Sequence, residues 1–350
     1  MRKSSISSAP LPDTGHENIQ ASSVWDQEQW IASHKAVASE ILGTSSDKSD
    51  LAKISYWGRK VMRDYSSSFY AVTRFLPSKK KADVEIVYAA VRYPDEIVDT
   101  FPLSNEEKNA QLRSWKGQFE RSADFDNIRQ NITSGIPVTL AGFRDVTRRH
   151  KIPDSYYISF LQSMQADVLP NRFIDWDDLI ENYIYGSATV VGYFLAHIYG
   201  ANSGETLDNC LRGARSLSIA LQLTNFARDV ADDAVRGRCY LPERHGIPTN
   251  SSLVSDVLLG KESALSEAQL ILATEAEKWY LEAACDINSF NSDSRIAIEA
   301  CHNLYSKLNN KIISNPSPLC RKSLSLSEKL SALPNSKYWR LPAALLLERY

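Results

Sequence analysis

The segment LQLTNFARDVADD, residues 221–233, combines apolar residues at helical spacing with four polar side chains in a fixed register. Gln222, Asn225, Asp229 and Asp233 stand at offsets of 0, 3, 7 and 11 from the first of them. Residues at these offsets share one face of an α-helix. Arg228 flanks the same face. We therefore expect a helix that presents amides and paired carboxylates on one side.

A second segment, YAAVRYPDEIVD at residues 88–99, has the same organisation. Tyr88, Arg92, Asp95 and Asp99 have offsets of 0, 4, 7 and 11. Each of the two segments thus carries two carboxylates one turn apart and an arginine beside them. The repetition of this pattern in one chain indicates a shared role for the two helices.

Carboxylates four residues apart repel each other, and the cost grows if they face inward without a cation between them. Paired aspartate oxygens are hard ligands that suit Mg²⁺, which binds a few carboxylates together with a substrate's phosphates. Arginine holds phosphate oxygens through forked hydrogen bonds. Two facing acidic helices would therefore clamp Mg²⁺ and a diphosphate. The alternative is that both are solvated helix faces, with Arg92 and Arg228 as intrahelical salt-bridge partners.

The rest of the chain also reads as helical, with few strand signals and only 14 glycines in 350 residues. We predict a single all-α domain over residues 51–340, preceded by a mostly disordered or peripheral segment, residues 1–50. One peripheral helix is expected within WDQEQWIASHKAVASEIL. Buried apolar stripes at helical spacing occur in segments 83–100, 155–168, 176–199, 208–233, 264–290 and 294–313.

Composition and charge exclude several classes of protein. The net charge of −2 gives no sign of a nucleic-acid partner. Five cysteines without a CxxC pair indicate reduced thiols, and the six histidines form no zinc pattern. No apolar run is long enough to span a bilayer, and acidic residues near the start argue against a targeting peptide. We expect a cytoplasmic protein; the sequence does not indicate an oligomeric state.

The motifs resemble those of the squalene/phytoene synthase family, the head-to-head prenyl transferases. QLTNFARDVADDAVRGRCYLP (222–242) and VYAAVRYPDEIVD (87–99) are similar to the two aspartate-rich signatures of the family. YSSSFYAVTRFLP (65–77) resembles its Ser-x-Ser-Phe segment, and ENYIYGSATVVGYFLAHIYG (181–200) its tyrosine-rich helix. The resemblance covers roughly residues 55–335 and is closest to bacterial phytoene synthases.

The resemblance implies an isoprenoid synthase helical bundle with a central cavity. It implies the Mg²⁺-dependent (or Mn²⁺-dependent) joining of two prenyl diphosphates through a cyclopropyl diphosphate intermediate, and loose association with membranes because the substrates are lipids. Metal ligands would be Asp95, Asp99, Asn225, Asp229 and Asp233. The substrate would contact Ser66, Ser68, Phe69, Tyr88, Arg92, Gln222, Asn225 and Arg228. Catalytic positions would be the four aspartates, Arg92, Tyr183 and Tyr305.

Some residues depart from the family pattern. Tyr65 stands where many members have histidine, Glu96 modifies the first motif, and Pro94 is expected to kink or loosen its helix. We expect Phe69, Tyr70, Val91, Tyr183, Val191, Phe194 and Leu221 to line the cavity.

Substrate length is the last expectation. If Thr73 floors the cavity, its small side chain favours two C20 geranylgeranyl diphosphates, giving phytoene. If Thr73 is a surface residue, it carries no information about the length of the substrate. The alternatives are a dehydrosqualene or squalene synthase using farnesyl diphosphate, with NADPH only for squalene, and a non-catalytic helical interaction protein.

Overall fold

The computed structural model describes residues 25–44, 49–169, 172–245, 250–338 and 340–342. The tail predicted at residues 1–22 and most of the C-terminal segment LPAALLLERY lie outside these ranges. The described residues contain no strand, which confirms the predicted all-α fold. The helices are α1 (Gln27–Leu42), α2 (Asp50–Tyr65), α3 (Ser67–Thr73), α4 (Ser78–Asp99), α5 (Asn105–Arg121), α6 (Ile128–Thr133), α7 (Val138–His150), α8 (Asp154–Ala166), α9 (Trp176–Leu179), α10 (Val190–Tyr199), α11 (Leu207–Val235), α12 (Asn250–Leu259), α13 (Ser263–Asp286), α14 (Ser292–Ser314) and α15 (Leu326–Ala332).

Local sequence sets where several helices begin. Asp26 before α1 forms a capping box with Gln29, because each side chain bonds the backbone N–H of the other residue. The same exchange starts α5 with Ser104 and Glu107. These caps satisfy backbone donors that the first turn of a helix leaves free.

The long helix α11 packs along α13, and α4 packs along α2. Ala227 on α11 and Ala276 on α13 are fully buried, and such small side chains allow the helices to approach closely. Gly58 has the same effect on α2, since a Cβ there would lie 2.5 Å from the carbonyl oxygen of Glu85 on α4. Helix α10 contacts both α4 and α11, and so joins the two pairs in one bundle.

Helix α4 continues through Pro94, which is buried. A proline cannot donate to the carbonyl four residues earlier, here that of Ala90. The hydroxyl of Tyr157 on α8 donates to that carbonyl instead, at 2.7 Å. The indole N–H of Trp115 in turn donates to the Tyr157 hydroxyl at 2.9 Å. A buried side chain thus replaces the bond that was expected to be lost, and α4 keeps its two aspartates on a continuous helix.

Between α9 and α10, residues Ile180–Thr189 form a π-helical segment. Such segments are rare and occur mostly at functional sites. Gly186 lies against α8, where a Cβ would meet the Ser163 hydroxyl oxygen at 2.0 Å. Gly192 lies against α11, where a Cβ would meet the Ser218 hydroxyl oxygen at 2.2 Å. Close approach to both neighbours therefore requires glycine at these two positions.

Helix α1 packs against α2, α6 and α7. Its Trp30 and Ile41 are fully buried in the same core as the other helices. The domain boundary at residue 50 stays a prediction. None of the described helices combines the length and apolar character needed to cross a membrane.

Candidate active site

The two acidic motifs lie close together at one end of the bundle. Asp95 and Asp99 are in the last turns of α4, and Asp229 and Asp233 are near the end of α11. Arg238, in the loop after α11, donates to Asp99 with its Nη1 2.8 Å from Oδ1. The charge of Asp99 also raises the pKa of Asp233 on the facing helix. The predicted arrangement of two facing aspartate pairs is therefore present.

Both predicted arginines pair with acids of their own helix. Arg92 donates to Asp95 at 2.6 Å and lies 2.7 Å from Glu96. Arg228 donates to both oxygens of Asp229, at 2.9 and 2.5 Å. The intrahelical pairing that was the alternative interpretation is thus also present. It holds both guanidinium groups at the rim of the acidic site, where a phosphate could exchange for a carboxylate.

The carboxyl groups here have shifted affinities for protons. Burial first, and then the charge of Asp229, raises the pKa of Asp233 to about 7. Burial raises the pKa of Asp95, and the charge of the neighbouring Asp99 adds to the rise. Together they outweigh the charge of Arg92, which lowers this pKa. Burial would also raise the pKa of Asp229, but hydrogen bonds from Arg228 and Arg321 lower it. The arginines near the two aspartate pairs therefore do not supply enough positive charge to neutralise all four carboxylates.

The residues fit a divalent cation that is shared with a substrate. The carboxyl group of Asp233 receives no hydrogen bond from any described residue, although the residue is half-buried and lies beside other acids. No group of three or more His, Cys, Asp or Glu side chains among the described residues is placed so that it could hold a metal ion on its own. Mg²⁺ needs no such group, because it completes its octahedral shell with phosphate oxygens and waters. The four aspartates and Asn225 offer oxygens of the right type.

Helix α3 brings Ser66 and Phe69 to the same region. Ser66 separates α2 from α3, accepts a hydrogen bond from the Phe69 N–H at 3.3 Å and bonds the hydroxyl of Tyr305 on α14. The ring centroids of Phe69 and Tyr88 are 6.1 Å apart. The charge of Arg92 acts on Tyr88, and that of Arg228 on Tyr305. Three predicted contact residues and the predicted catalytic Tyr305 thus lie near the two arginines.

Three other predicted contact residues on α3 and α11 form no side-chain hydrogen bond with described residues. Ser68, Gln222 and Asn225 are half-buried, and their side-chain polar atoms have no partner in the described part of the chain. Gln222 and Asn225 precede Asp229 on the face of α11 defined by the sequence. Their amides are therefore available to a ligand in the site.

Tyr183 belongs to a hydrogen-bonded group that the sequence did not reveal. Its hydroxyl donates to Asp167 at 2.7 Å and lies 3.2 Å from that of Tyr240. Arg238 reaches the backbone carbonyl of Asp167 at 3.3 Å. Burial raises the pKa of Asp167 to about 7. Asp167 follows α8 in an irregular segment, so no periodic pattern marked it.

Two basic residues from the C-terminal part also reach the site and were missed. Arg321 donates to both oxygens of Asp229, at 2.7 and 3.3 Å. Lys329 on α15 donates to the Ser67 hydroxyl at 3.2 Å. The segment SLSEKLSAL (325–333) contributed no predicted site residue. Arg321 follows proline and serine residues, where spacing carries no information.

An apolar cavity opens below the acidic end. Phe69 and Thr73 line it from α3, Leu221 from α11 and Cys301 from α14. Leu221 lies one turn below Asn225, and Cys301 one turn below Tyr305, so the cavity begins where the polar residues end. The part of α11 that lines it runs from Gly213 to Leu221, a rise of about 12 Å.

Thr73 lies within this cavity wall and is 1% exposed, so it is not a surface residue. Of the seven residues expected in the lining, Phe69 and Leu221 line the cavity. The expectation was wrong for Tyr70, Val91, Tyr183, Val191 and Phe194. Phe194 is instead fully buried in the core against Phe143, with ring centroids 5.4 Å apart. The face of α10 that meets the cavity carries Gly192, Leu195, Ala196 and Tyr199. The π-helical segment before α10 has a different hydrogen-bond period from an α-helix. Helical spacing carried through it therefore predicts the wrong face of α10 for the cavity.

Comparisons with known proteins agree with this geometry. The squalene/phytoene synthase family matches residues 62–330. A 15-cis-phytoene synthase of Enterobacter agglomerans is 30% identical over 272 residues, 77% of this chain and 90% of that protein. One from Pantoea ananas is 29% identical over 254 residues, 71% of this chain and 78% of that protein.

Solved structures show the same fold. A dehydrosqualene synthase in complex with a ligand superposes with a TM-score of 0.67 at 21% identity, covering 86% of this chain and 99% of that one. Squalene synthase HpnC from Alicyclobacillus acidocaldarius gives 0.61 at 17% identity, covering 77% and 97%. With paired aspartates facing each other above an apolar cavity and a family match over most of its length, the chain belongs to the squalene/phytoene synthase family and is a prenyl transferase.

Proposed function

We propose that the protein joins two molecules of geranylgeranyl diphosphate head to head and forms phytoene through a cyclopropyl diphosphate intermediate. The observation that carries this proposal is the position of the two aspartate pairs and their arginines at the mouth of one apolar cavity. Relatives named 15-cis-phytoene synthase, at about 30% identity, support the same reaction.

The polar end would bind the diphosphates. Arg92 and Arg228 would each exchange a carboxylate oxygen for a phosphate oxygen, and Arg321 would add a third cation that already contacts Asp229. Fixed positive charge at this place stabilises the leaving diphosphate as its C–O bond breaks. Asp95, Asp99, Asn225, Asp229 and Asp233 would hold Mg²⁺, and the cation supplies further neutralisation of the diphosphate charge.

The apolar end would hold the prenyl chains and protect the reacting carbons. Loss of diphosphate leaves an allylic carbocation, which water would quench. The cavity below Asn225 is lined mainly by apolar side chains. The rings of Phe69 and Tyr88 stand between the polar and apolar parts, and aromatic faces attract cations. In each half-reaction a C–C bond forms or rearranges, diphosphate leaves and a carbon loses one proton.

Thr73 supports the longer substrate. Its hydroxyl donates to the Tyr70 carbonyl at 2.8 Å, which satisfies its polar atom and leaves the methyl group for the wall. A larger apolar residue at this position would shorten the space available to a chain entering past Phe69. The cavity therefore favours a C20 chain over a C15 chain.

The test is incubation of purified protein with Mg²⁺ and either geranylgeranyl or farnesyl diphosphate, with and without NADPH. A C40 triene is expected from the first substrate, identified by mass spectrometry of the hydrocarbon extract. A C30 product as the main outcome would assign the protein to dehydrosqualene synthesis. A C30 product that requires NADPH would assign it to squalene synthesis.

A further inference from the structure

Helix α1 lies outside the residues that match the family, yet its start contacts a residue beside the active site. The hydroxyl of Tyr65, the last residue of α2, accepts a hydrogen bond from the Trp25 backbone N–H at 2.9 Å. It accepts a second from the indole N–H of Trp30 at 3.1 Å, and it donates to the Trp25 carbonyl at 3.3 Å. Three contacts from the N-terminal segment therefore fix one phenol.

The ring of Tyr65 supports Arg92. The Arg92 guanidinium carbon lies 4.4 Å from the centre of that ring. The edges of the guanidinium face Asp95 and Glu96, at 2.6 and 2.7 Å. An aromatic face under a guanidinium attracts the cation and restrains its plane. The Tyr65 ring, which lies against one face of the guanidinium, thus sets the orientation of Arg92 toward the diphosphate site.

The N-terminal helix is itself firmly anchored. Trp30 is fully buried and packs against Trp57 and Tyr93, with ring centroids 5.6 and 5.3 Å away. The indole N–H of Trp25 donates to Asp64 at 3.0 Å. Movement of α1 relative to α2 would have to break these contacts, so the Tyr65 hydroxyl has a fixed reference.

We propose that α1 is a positioning element of the diphosphate site: Trp25 and Trp30 fix the Tyr65 hydroxyl, and the Tyr65 ring fixes Arg92. The identity of the diphosphate rests on the proposed function, whereas the positioning itself concerns only how Arg92 is held. Its physical effect is preorganisation, since a guanidinium that is already oriented loses less freedom when it binds. The competing explanation is that α1 merely adds stability to the fold.

Three variants separate these explanations. Trp30→Phe removes the donor to Tyr65, and Tyr65→Phe removes the acceptor but keeps the ring under Arg92. Trp57→Phe is the matched control. Trp57 is buried in the same aromatic cluster, but its indole N–H has no hydrogen-bond partner among the described residues. Trp30→Phe and Trp57→Phe therefore make the same change of ring, and only the first breaks a bond to Tyr65.

The readout is the dissociation constant of inorganic diphosphate in the presence of Mg²⁺, measured by calorimetry, together with unfolding in urea. Trp30→Phe should weaken diphosphate binding about fivefold, the worth of one hydrogen bond. Tyr65→Phe should weaken it at least as much, because it removes all three contacts of the hydroxyl. Trp57→Phe should bind diphosphate with a dissociation constant within twofold of that of the unsubstituted protein. Its loss of stability should be similar to that of Trp30→Phe. The double variant Trp30→Phe/Tyr65→Phe should bind like Tyr65→Phe alone, because both changes act through one contact.

Equal weakening by Trp30→Phe and Trp57→Phe would overturn the proposal, and so would unchanged binding in Trp30→Phe. If the double variant bound diphosphate about fivefold more weakly than Tyr65→Phe alone, Trp30 would not act through Tyr65. If the unsubstituted protein binds diphosphate but makes no C40 product, the proposed function fails while the positioning result stands. No diphosphate binding by the unsubstituted protein would overturn both.

Discussion

Arg238 and Asp99 form an ion pair, with Nη1 and Oδ1 2.8 Å apart, that joins the loop after α11 to the last residue of α4. The same guanidinium reaches the backbone carbonyl of Asp167. Its charge also lowers the pKa of Asp95 and Asp233 against the effect of their burial. One arginine therefore compensates carboxylates from both acidic motifs.

Loss of this arginine should destabilise the protein when Mg²⁺ is absent. Arg238→Gln leaves the surrounding carboxylates without their shared cation, and we expect the melting temperature to fall by about 2 °C. Addition of Mg²⁺ should restore part of the loss. The control is Arg244→Gln, which removes an equally short pair to Asp175, 2.8 Å, from a side chain that is 71% exposed. An equal drop in both variants would contradict this account.

Asp229 should be essential to turnover, in contrast to its near neighbour Asp232. Asp229 faces the site and contacts Arg228 and Arg321, whereas Asp232 is exposed on the same helix. We expect Asp229→Asn to lower kcat/KM on the order of 100-fold or more, because a charged ligand of the metal–diphosphate group is lost. Asp232→Asn should stay within twofold. Similar activity of the two variants would remove Asp229 from the proposed metal set.

Thr73 should set the preferred chain length. Thr73→Leu adds apolar volume to the cavity wall and is expected to lower kcat/KM for geranylgeranyl diphosphate more than for farnesyl diphosphate. Thr73→Val keeps the volume and removes only the hydroxyl, so the substrate preference should not change. The ratio of the two kcat/KM values is the measurement. A shift of equal size in both variants would mean that the hydroxyl, not the volume, matters.

The stability gained from Mg²⁺ should depend on pH through Asp233. Burial raises the pKa of this carboxyl to about 7, so the folded protein binds a proton more tightly than the unfolded chain does. Stability is therefore lost as the pH rises from about 4 to 7, the range between the unfolded and folded values. A bound cation offsets that loss only when the group is ionised.

We expect Mg²⁺ to raise the melting temperature more at pH 8 than at pH 5.5. In Asp233→Asn the difference between the two pH values should shrink, since the titrating group is gone. Thermal melts with and without Mg²⁺ at both pH values provide the measurement. A Mg²⁺ effect that is the same at both pH values in the unsubstituted protein would exclude this role for Asp233.

Gly192 should be required for the contact between α10 and α11. A Cβ at this position would lie 2.2 Å from the Ser218 hydroxyl oxygen and 3.1 Å from the Ala214 carbonyl oxygen. We expect Gly192→Ala to cost about 1–3 kcal/mol of unfolding free energy, the usual range for overpacking. Adding Ser218→Ala should recover part of it, because the nearest atom is removed. Unfolding in urea measures both variants.

The sequence predicted the elements that obey helical spacing and missed residues that do not. Asp95, Asp99, Asp229 and Asp233 could be placed on common faces because a helix has a fixed period. Asp167, Arg238 and Arg321 come from irregular segments, whose path depends on packing between distant elements. Motif resemblance flagged the region around Arg238 without showing that it pairs with Asp99.

The same limit applies to local geometry. The periodicity of residues 181–200 indicates a helix but does not distinguish the π-helical part, so the register across Gly186–Gly192 could not be fixed. The expectation for Pro94 considered only its own missing N–H. The Tyr157 hydroxyl that replaces this donor is 67 residues in sequence from Ala90, whose carbonyl it bonds. Such long-range compensation is not visible in a local pattern.

The most direct test of the proposed reaction is a competition between the two substrates. Purified protein with Mg²⁺ and equal concentrations of geranylgeranyl and farnesyl diphosphate, without NADPH, should yield mainly a C40 hydrocarbon with a central triene. Mass spectrometry and ultraviolet absorption of the extract identify the product. A predominantly C30 product, or the absence of any hydrocarbon, would contradict the account.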